Sequence, residues 1–150
     1  MIARATEAIR RAIARVAALF SRGTATHRLG LLGEAAAESH LRALGFRVLA
    51  RRALVPMGEA DLVCEAPPDH QTVVIVEVKT RALPPHAGAR AARMGPEQAV
   101  GPRKRAKLLA IAAHLRRANQ WQARPVRIDL VAVDTRGGRV VAVRHFPGIT

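Results

Sequence analysis

The chain has 150 residues, which suits a single domain with its own core, and 49% of them are hydrophobic. A formal net charge of +14 indicates a polyanionic partner, nucleic acid before an anionic membrane surface, with a merely arginine-rich surface as the alternative. The single cysteine, Cys64, excludes an internal disulfide and fits a reducing cytoplasm, and no apolar run is long enough to span a membrane.

The first predicted element is a basic amphipathic helix over residues 1–22. Apolar residues recur there at helical spacing from Ile9 to Phe20, and arginines lie largely on other faces. Such a helix can bind membranes or nucleic acid, but packing on its own domain is the commoner use. Residues 23–150 are predicted to form the main domain.

The main domain alternates between helical and strand patterns. The predicted elements, in chain order, are a helix from Leu29 to Leu44 with Gly45 as its C-cap, strands over 46–55, 58–64 and 72–81, a loop rich in Pro, Gly and Ala over 82–101, a helix from Pro102 to Asn119, and strands over 124–134 and 139–146 joined at Gly137 and Gly138. This order predicts an α/β domain with a central mixed sheet and helices packed against it.

Two charged motifs, "GEAD" and "VEVKTR", interrupt the apolar strands. Side chains alternate along a strand, so Glu59 and Asp61 share one face, and Glu77 and Lys79 share one face. If the two strands form a simple hairpin centred on Asp69, then Asp61 lies opposite Glu77 and Glu59 lies opposite Lys79. All four side chains would then project from the same face.

Directly opposed carboxylates destabilise a sheet unless a cation lies between them. Carboxylate oxygens suit Mg²⁺ or Mn²⁺, which could activate a water and stabilise charge on a phosphodiester. Lys79 could orient that water or meet the developing charge. The alternative is an exposed ladder of salt bridges, which the apolar context of Val73 to Val78 disfavours. Spacing alone leaves both interpretations open.

The segments "GEADLV" and "IVEVKTR", with "LGLLGEAAAESHLRALGFRVLARR" before them and "EQAVGPRKRAKL" and "RIDLVAV" after them, resemble the bacterial YraN-type family of endonuclease-like proteins. That family belongs with the restriction-endonuclease-like nucleases, the PD-(D/E)xK superfamily, which also contains archaeal Holliday-junction resolvases. The resemblance runs from about Gly30 to Val133, and it departs from the family at Ala60, where isoleucine is usual. It implies a restriction-endonuclease-like fold, with a central sheet that carries the site and flanking helices.

The resemblance also implies roles for individual residues. Asp61 resembles the motif aspartate, and Glu77 and Lys79 resemble the E-x-K pair. Glu34 resembles the acidic residue that the first core helix directs to the same site. These three carboxylates are the predicted metal ligands and, with Lys79, the predicted catalytic groups. Glu59 is predicted to support Lys79.

Basic residues around the motifs predict contacts with nucleic-acid phosphates. They are Arg81, Arg103, Lys104 and Lys107. The leading hypothesis is a cytoplasmic Mg²⁺- or Mn²⁺-dependent endonuclease acting on DNA, with branched or flapped structures as candidate substrates. The alternatives are a non-catalytic nucleic-acid-binding module on the same fold, and partner binding through the N-terminal helix. A homodimer would suit a junction cutter, but no sequence pattern demonstrates one.

Overall fold

The structure, a computed structural model, describes residues 25–86 and 100–149. The basic helix predicted over residues 1–22 therefore lies outside the described residues, as does most of the loop predicted over residues 82–101.

The described residues form helices and strands in the predicted order. They are α1 (residues 25–43), β1 (Arg47–Val55), β2 (Gly58–Glu65), β3 (Val73–Ala82), α2 (Pro102–Ala118), β4 (Val126–Arg136) and β5 (Arg139–Phe146). Each predicted boundary within this part of the chain lies within a few residues of the observed one. None of the helices described is both long and apolar enough to cross a membrane.

The strands form one sheet in the order β1-β2-β3-β4-β5. β3 and β4 are parallel, and every other neighbouring pair is antiparallel, so the predicted mixed sheet is confirmed. The parallel pair requires a crossover, and α2 lies in that crossover. The fold is therefore α/β, with helices against a central sheet.

A hydrophobic core lies on each face of the sheet. The core on the α2 side includes Val63, Val73, Ile75, Leu108, Ile111, Ile128 and Leu130. The core on the α1 side includes Ala37, Leu41, Leu62, Cys64, Val74, Val76, Val131 and Val133. β3 contributes to both cores, which explains why "VVIV" is continuously apolar instead of alternating.

Glycines end α1 and form the last hairpin, as predicted. Gly45 has a φ of 89°, its N–H donates to the Arg42 carbonyl, and the next N–H donates to the Leu41 carbonyl. That pair of hydrogen bonds is the Schellman C-cap. Gly137 and Gly138, with φ of 56° and 74°, form the two-residue turn between β4 and β5.

Candidate active site

The site begins where β2 and β3 separate. Their four backbone pairs run from Glu65 with Val73 to Leu62 with Val76, which is the register predicted from symmetry about Asp69. Beyond Leu62 the pairing ends, and the Asp61 carboxylate accepts the Val78 N–H at 2.7 Å. We call this place the fork.

The fork corrects the predicted cross-strand pairs. Asp61 and Glu77 keep the predicted register, but they are not a paired position of the ladder. At this point the side chain of Asp61, in place of a backbone carbonyl of β2, accepts the hydrogen bond from β3. Glu59 likewise does not face Lys79. It forms an ion pair with Arg52 of β1, at 3.1 Å from Arg52 Nε, and its support of Lys79 stays a prediction.

A cavity of about 240 Å³ opens at the fork. Its lining residues are Thr26, Leu29, Gly30, Glu34, Asp61, Val78, Lys79 and Thr80. The structure thus brings Glu34 of α1, Asp61 of β2 and Lys79 of β3 to one cleft. Glu77, the fourth predicted catalytic residue, adjoins them through its contact with Lys79.

Gly33 allows α1 to approach the sheet closely enough for this arrangement. A methyl group at Gly33 would overlap the side chain of Thr80 on β3. The close approach at Gly33 holds the next residue, Glu34, against the cleft. A larger residue would therefore separate the helix from the strands that carry the other acidic groups.

Glu77 is buried and lies between two lysines. Its side chain is 3% exposed, and its Oε1 is 2.9 Å from Lys79 Nζ. Its Oε2 is 2.9 Å from Lys104 Nζ of α2, an ion pair without hydrogen-bonding geometry, so this oxygen has no hydrogen-bond partner. A buried carboxylate needs such charge compensation, and here it comes from two different elements.

The environment of Asp61 disfavours its charge. Burial raises the pKa of this carboxyl to about 6, although the Val78 N–H opposes the shift. The negative charges of Glu77 and Glu34 raise the pKa further, and the positive charge of Lys104 lowers it. The three carboxylates therefore interact electrostatically, which is typical of functional clefts.

A metal held by Asp61 and Glu77 would have to be completed by its substrate. Within residues 25–86 and 100–149, no three His, Cys, Asp or Glu side chains group closely enough to hold a metal ion. Mg²⁺ commonly takes one or two carboxylates, with waters and substrate phosphate as its other ligands. Asp61 and Glu77 could supply that pair, and Glu77 Oε2 accepts no hydrogen bond, although it is ion-paired with Lys104. Glu34 as a third ligand stays a prediction.

The predicted phosphate-binding residues fall into two groups. Arg103 and Lys107 are exposed on α2. Arg81 instead pairs with the buried Asp134 at 3.0 Å, and Arg144 pairs with the other oxygen of that carboxylate at 2.9 Å. Lys104 pairs with Glu77, as described above.

Two contacts of the site were not foreseen from the sequence. Lys104 was expected to contact nucleic acid, and its pairing with Glu77 depends on where α2 lies over the sheet, which no local pattern reveals. The contact between Gly33 and Thr80 joins segments 47 residues apart in the chain. A glycine inside a predicted helix was its sequence signal, because such a glycine often has a packing role.

The sequence is similar to those of known proteins. Residues 33–133 match the profile of a family described as "Uncharacterised protein family UPF0102". A "UPF0102 protein" of Anaeromyxobacter dehalogenans is 38% identical over 125 residues, which cover 83% of this chain and 85% of that protein. One of Mycolicibacterium vanbaalenii is 37% identical, covering 81% of this chain and 92% of its own length. One of Oleidesulfovibrio alaskensis is 40% identical, covering 71% of this chain and 48% of its own length.

Proposed function

This chain belongs to the UPF0102 family, and we propose that it is a divalent-metal-dependent endonuclease that hydrolyses phosphodiester bonds in DNA. The observation that carries the proposal is the fork, where Asp61 and Lys79 line one cleft and Glu77 lies 2.9 Å from the Lys79 ammonium. The resemblance of "GEAD" and "VEVK" to the PD-(D/E)xK motifs supports the same reading, as does the mixed sheet flanked by helices.

Asp61 and Glu77 would hold Mg²⁺ or Mn²⁺, with Glu34 beside them in the cleft. A bound cation would supply Lewis acidity at a phosphate oxygen and a water of lowered pKa. Asp61 and Glu77 must be ionised to bind it. Because Glu77 is buried, bulk water would not compete with the cation for its carboxylate oxygens. The ammonium of Lys79, whose side chain is 42% exposed, can orient a water or meet developing phosphate charge.

DNA is the proposed substrate because the chain is strongly basic and poor in aromatic residues. The net charge is +14, and the chain contains three Phe, one Trp and no Tyr. Phosphate contact and shape readout use such a surface, whereas single-strand recognition relies on aromatic stacking. Branched or flapped DNA, a cytoplasmic location and a homodimer belong to this proposal.

A second candidate function is nucleic-acid binding without cleavage. The observation that favours it is the pairing of Glu77 with both Lys79 and Lys104, because that pairing balances the buried charge without any metal. Nuclease folds can serve as binding modules, since function belongs to the site and not to the fold.

Cleavage of labelled DNA distinguishes these two functions. The substrates are single strands, duplexes, flaps and four-way junctions, each with Mn²⁺, Mg²⁺ or EDTA. Asp61→Asn and Glu77→Gln each remove one negative charge at constant size. We expect metal-dependent cleavage by the wild type and a loss of about 10²-fold or more in each variant.

The matched control is Asp69→Asn. Asp69 is exposed in the turn between β2 and β3, and an asparagine oxygen can still accept the Gln71 N–H that Asp69 accepts. This variant should cleave like the wild type. Tight binding without cleavage under every metal condition would support the binding module and count against the endonuclease.

A further inference from the structure

Lys104 is a second lysine of the site, brought by a different element. It lies in the first turn of α2, and its ammonium is 2.9 Å from Glu77 Oε2. Lys79, two residues from Glu77 on β3, binds the other oxygen. Both oxygens of this buried carboxylate therefore face a cation, although metal binding would require at least one of them.

The two lysines are not equivalent. Lys104 Nζ contacts Oε2 without hydrogen-bonding geometry, and its side chain remains 33% exposed. A partly exposed lysine on a flexible four-carbon stem can turn its ammonium toward solvent when another cation takes over the charge compensation of Glu77. Exposure does not separate the two lysines, since the Lys79 side chain is 42% exposed, but the contact that lacks hydrogen-bonding geometry is the one between Lys104 and Oε2.

The balance of charge at the site points the same way. Glu34, Asp61 and Glu77 carry three negative charges, and Lys79 and Lys104 return two. A divalent cation added to this intact cluster would make it positive by one, whereas the same cation without Lys104 would leave it neutral. The charge of Lys104 also reaches Asp61, since it lowers the pKa of that carboxyl.

We propose that Lys104 is a built-in counterion that competes with a divalent cation for Glu77 Oε2, and that metal binding displaces its ammonium toward solvent. This inference rests on the proposed metal site. Lys104 thereby keeps the buried Glu77 compensated in the metal-free protein and sets the metal concentration at which the site fills. Once displaced, the ammonium is available to a phosphate at the mouth of the site.

Mn²⁺ binding to the DNA-free protein tests the competition, by calorimetry or by the electron paramagnetic resonance of free Mn²⁺. Lys104→Ala should bind Mn²⁺ about tenfold more tightly than the wild type, because it removes the competing charge. Lys104→Arg retains the charge and should stay near the wild-type affinity. Arg117→Ala, which removes one charge from the exposed far end of the same helix, should change the affinity by no more than about twofold at 0.15 M salt.

Each other outcome is decisive. If Lys104→Ala and Arg117→Ala bind Mn²⁺ alike, while Glu77→Gln abolishes binding, the metal site stands and the competition is refuted. If neither the wild type nor Lys104→Ala binds Mn²⁺ in the absence of DNA, the competition is refuted, and the metal-dependent function is decided separately by the cleavage of labelled DNA. Weaker binding by Lys104→Ala would show that the lysine holds the site together instead of competing. Thermal unfolding in EDTA checks that each variant is folded. If Lys104→Ala is unfolded, Lys104→Gln replaces it, with the same expected change in Mn²⁺ affinity.

Discussion

At the scale of single residues, Asp61 shows that this cleft was not arranged for stability. Its carboxylate is partly buried and lies within the electrostatic reach of two other carboxylates, and its pKa is accordingly raised. A residue selected only for packing would not carry a charge there, because an uncharged amide could accept the same N–H from Val78. Such a local cost is usual at functional sites, where stability is exchanged for chemistry.

Asp61→Asn should therefore stabilise the metal-free protein at pH 7.5. We expect about 1–2 kcal/mol, after the free energy of the Asp61 pKa shift is discounted for the partial exposure of the group. The folded carboxyl has a pKa of about 6, above its ordinary value of 3.8, so the folded state binds the extra proton between these values. Wild-type stability from this group thus falls as pH rises through that window. Urea unfolding in EDTA at pH 5 and pH 7.5 measures the free energy of unfolding of the wild type and of Asp61→Asn.

The variant's advantage should shrink at pH 5, where Asp61 in the folded wild type is largely protonated. Asp69→Asn, in the exposed turn, should show no comparable advantage at either pH. A destabilised Asp61→Asn protein, with a difference that does not depend on pH, would contradict the electrostatic account of this residue.

At the scale of elements, the position of α1 relative to β3 decides whether the site exists. Gly33 is the contact that allows the helix to lie against Thr80, and Glu34 follows it into the cleft. On the other face, the first turn of α2 carries Lys104 to Glu77. The end of β3 is thus contacted by α1 on one face and by the first turn of α2 on the other.

Gly33→Ala should destabilise the protein by about 1–3 kcal/mol, because its methyl group overlaps the Thr80 side chain in a packed contact. The matched control is Gly30→Ala in the same helix. No atom outside the local backbone of the helix and the two neighbouring residues lies within 4 Å of the methyl position there, so higher helix propensity should leave that variant equal or more stable by up to about 1 kcal/mol. Thermal or urea unfolding measures both. Equal effects of the two substitutions would refute the close-packing role of Gly33.

At the scale of the whole molecule, positive charge dominates the chain, but part of it is used internally. Arg81 and Arg144 compensate the buried Asp134, and Arg127 compensates the buried Asp129, which also has a hydrogen bond with His145. The count of 25 Lys and Arg residues therefore overstates how much positive charge is free at the surface, whereas the net charge of +14 already subtracts the carboxylates of these pairs. The exposed lysines and arginines of the first turns of α2 are better placed to meet a phosphate backbone.

Arg103→Ala and Lys107→Ala should each weaken DNA binding equally across sequences, because phosphate contacts carry no base information. Each should also lower the slope of log K against log salt by about 1. Arg117→Ala, at the other end of α2, is the control and should leave the slope near the wild-type value. Fluorescence anisotropy from 50 to 300 mM KCl, on two unrelated duplexes, provides the measurement. A Lys107→Ala effect that depends on sequence would contradict backbone contact.

The order of elements, the hairpin turn at Gly137 and the register of β2 against β3 could be predicted because each depends on a local pattern. The alternation of apolar residues along strands, the glycines of turns and the symmetry about the polar turn can all be identified in the sequence. The end of that register could not be predicted, because Asp61 replaces its own backbone as an acceptor only in the folded sheet. The pairing of Lys104 with Glu77 was missed for a similar reason, since it depends on how a helix crosses the sheet.

The hydrogen bond between the Val78 N–H and the Asp61 carboxylate has a practical consequence. Amide chemical shifts are sensitive to the charge of the hydrogen-bond acceptor. The Val78 amide therefore reports the protonation state of the Asp61 carboxyl, which is harder to follow directly. In a ¹⁵N-correlated spectrum, the Val78 resonance would follow protonation of Asp61 during a pH titration and respond again when Asp61 takes part in binding a cation. The polypeptide thus contains its own spectroscopic probe at the fork, which can be read without a substrate.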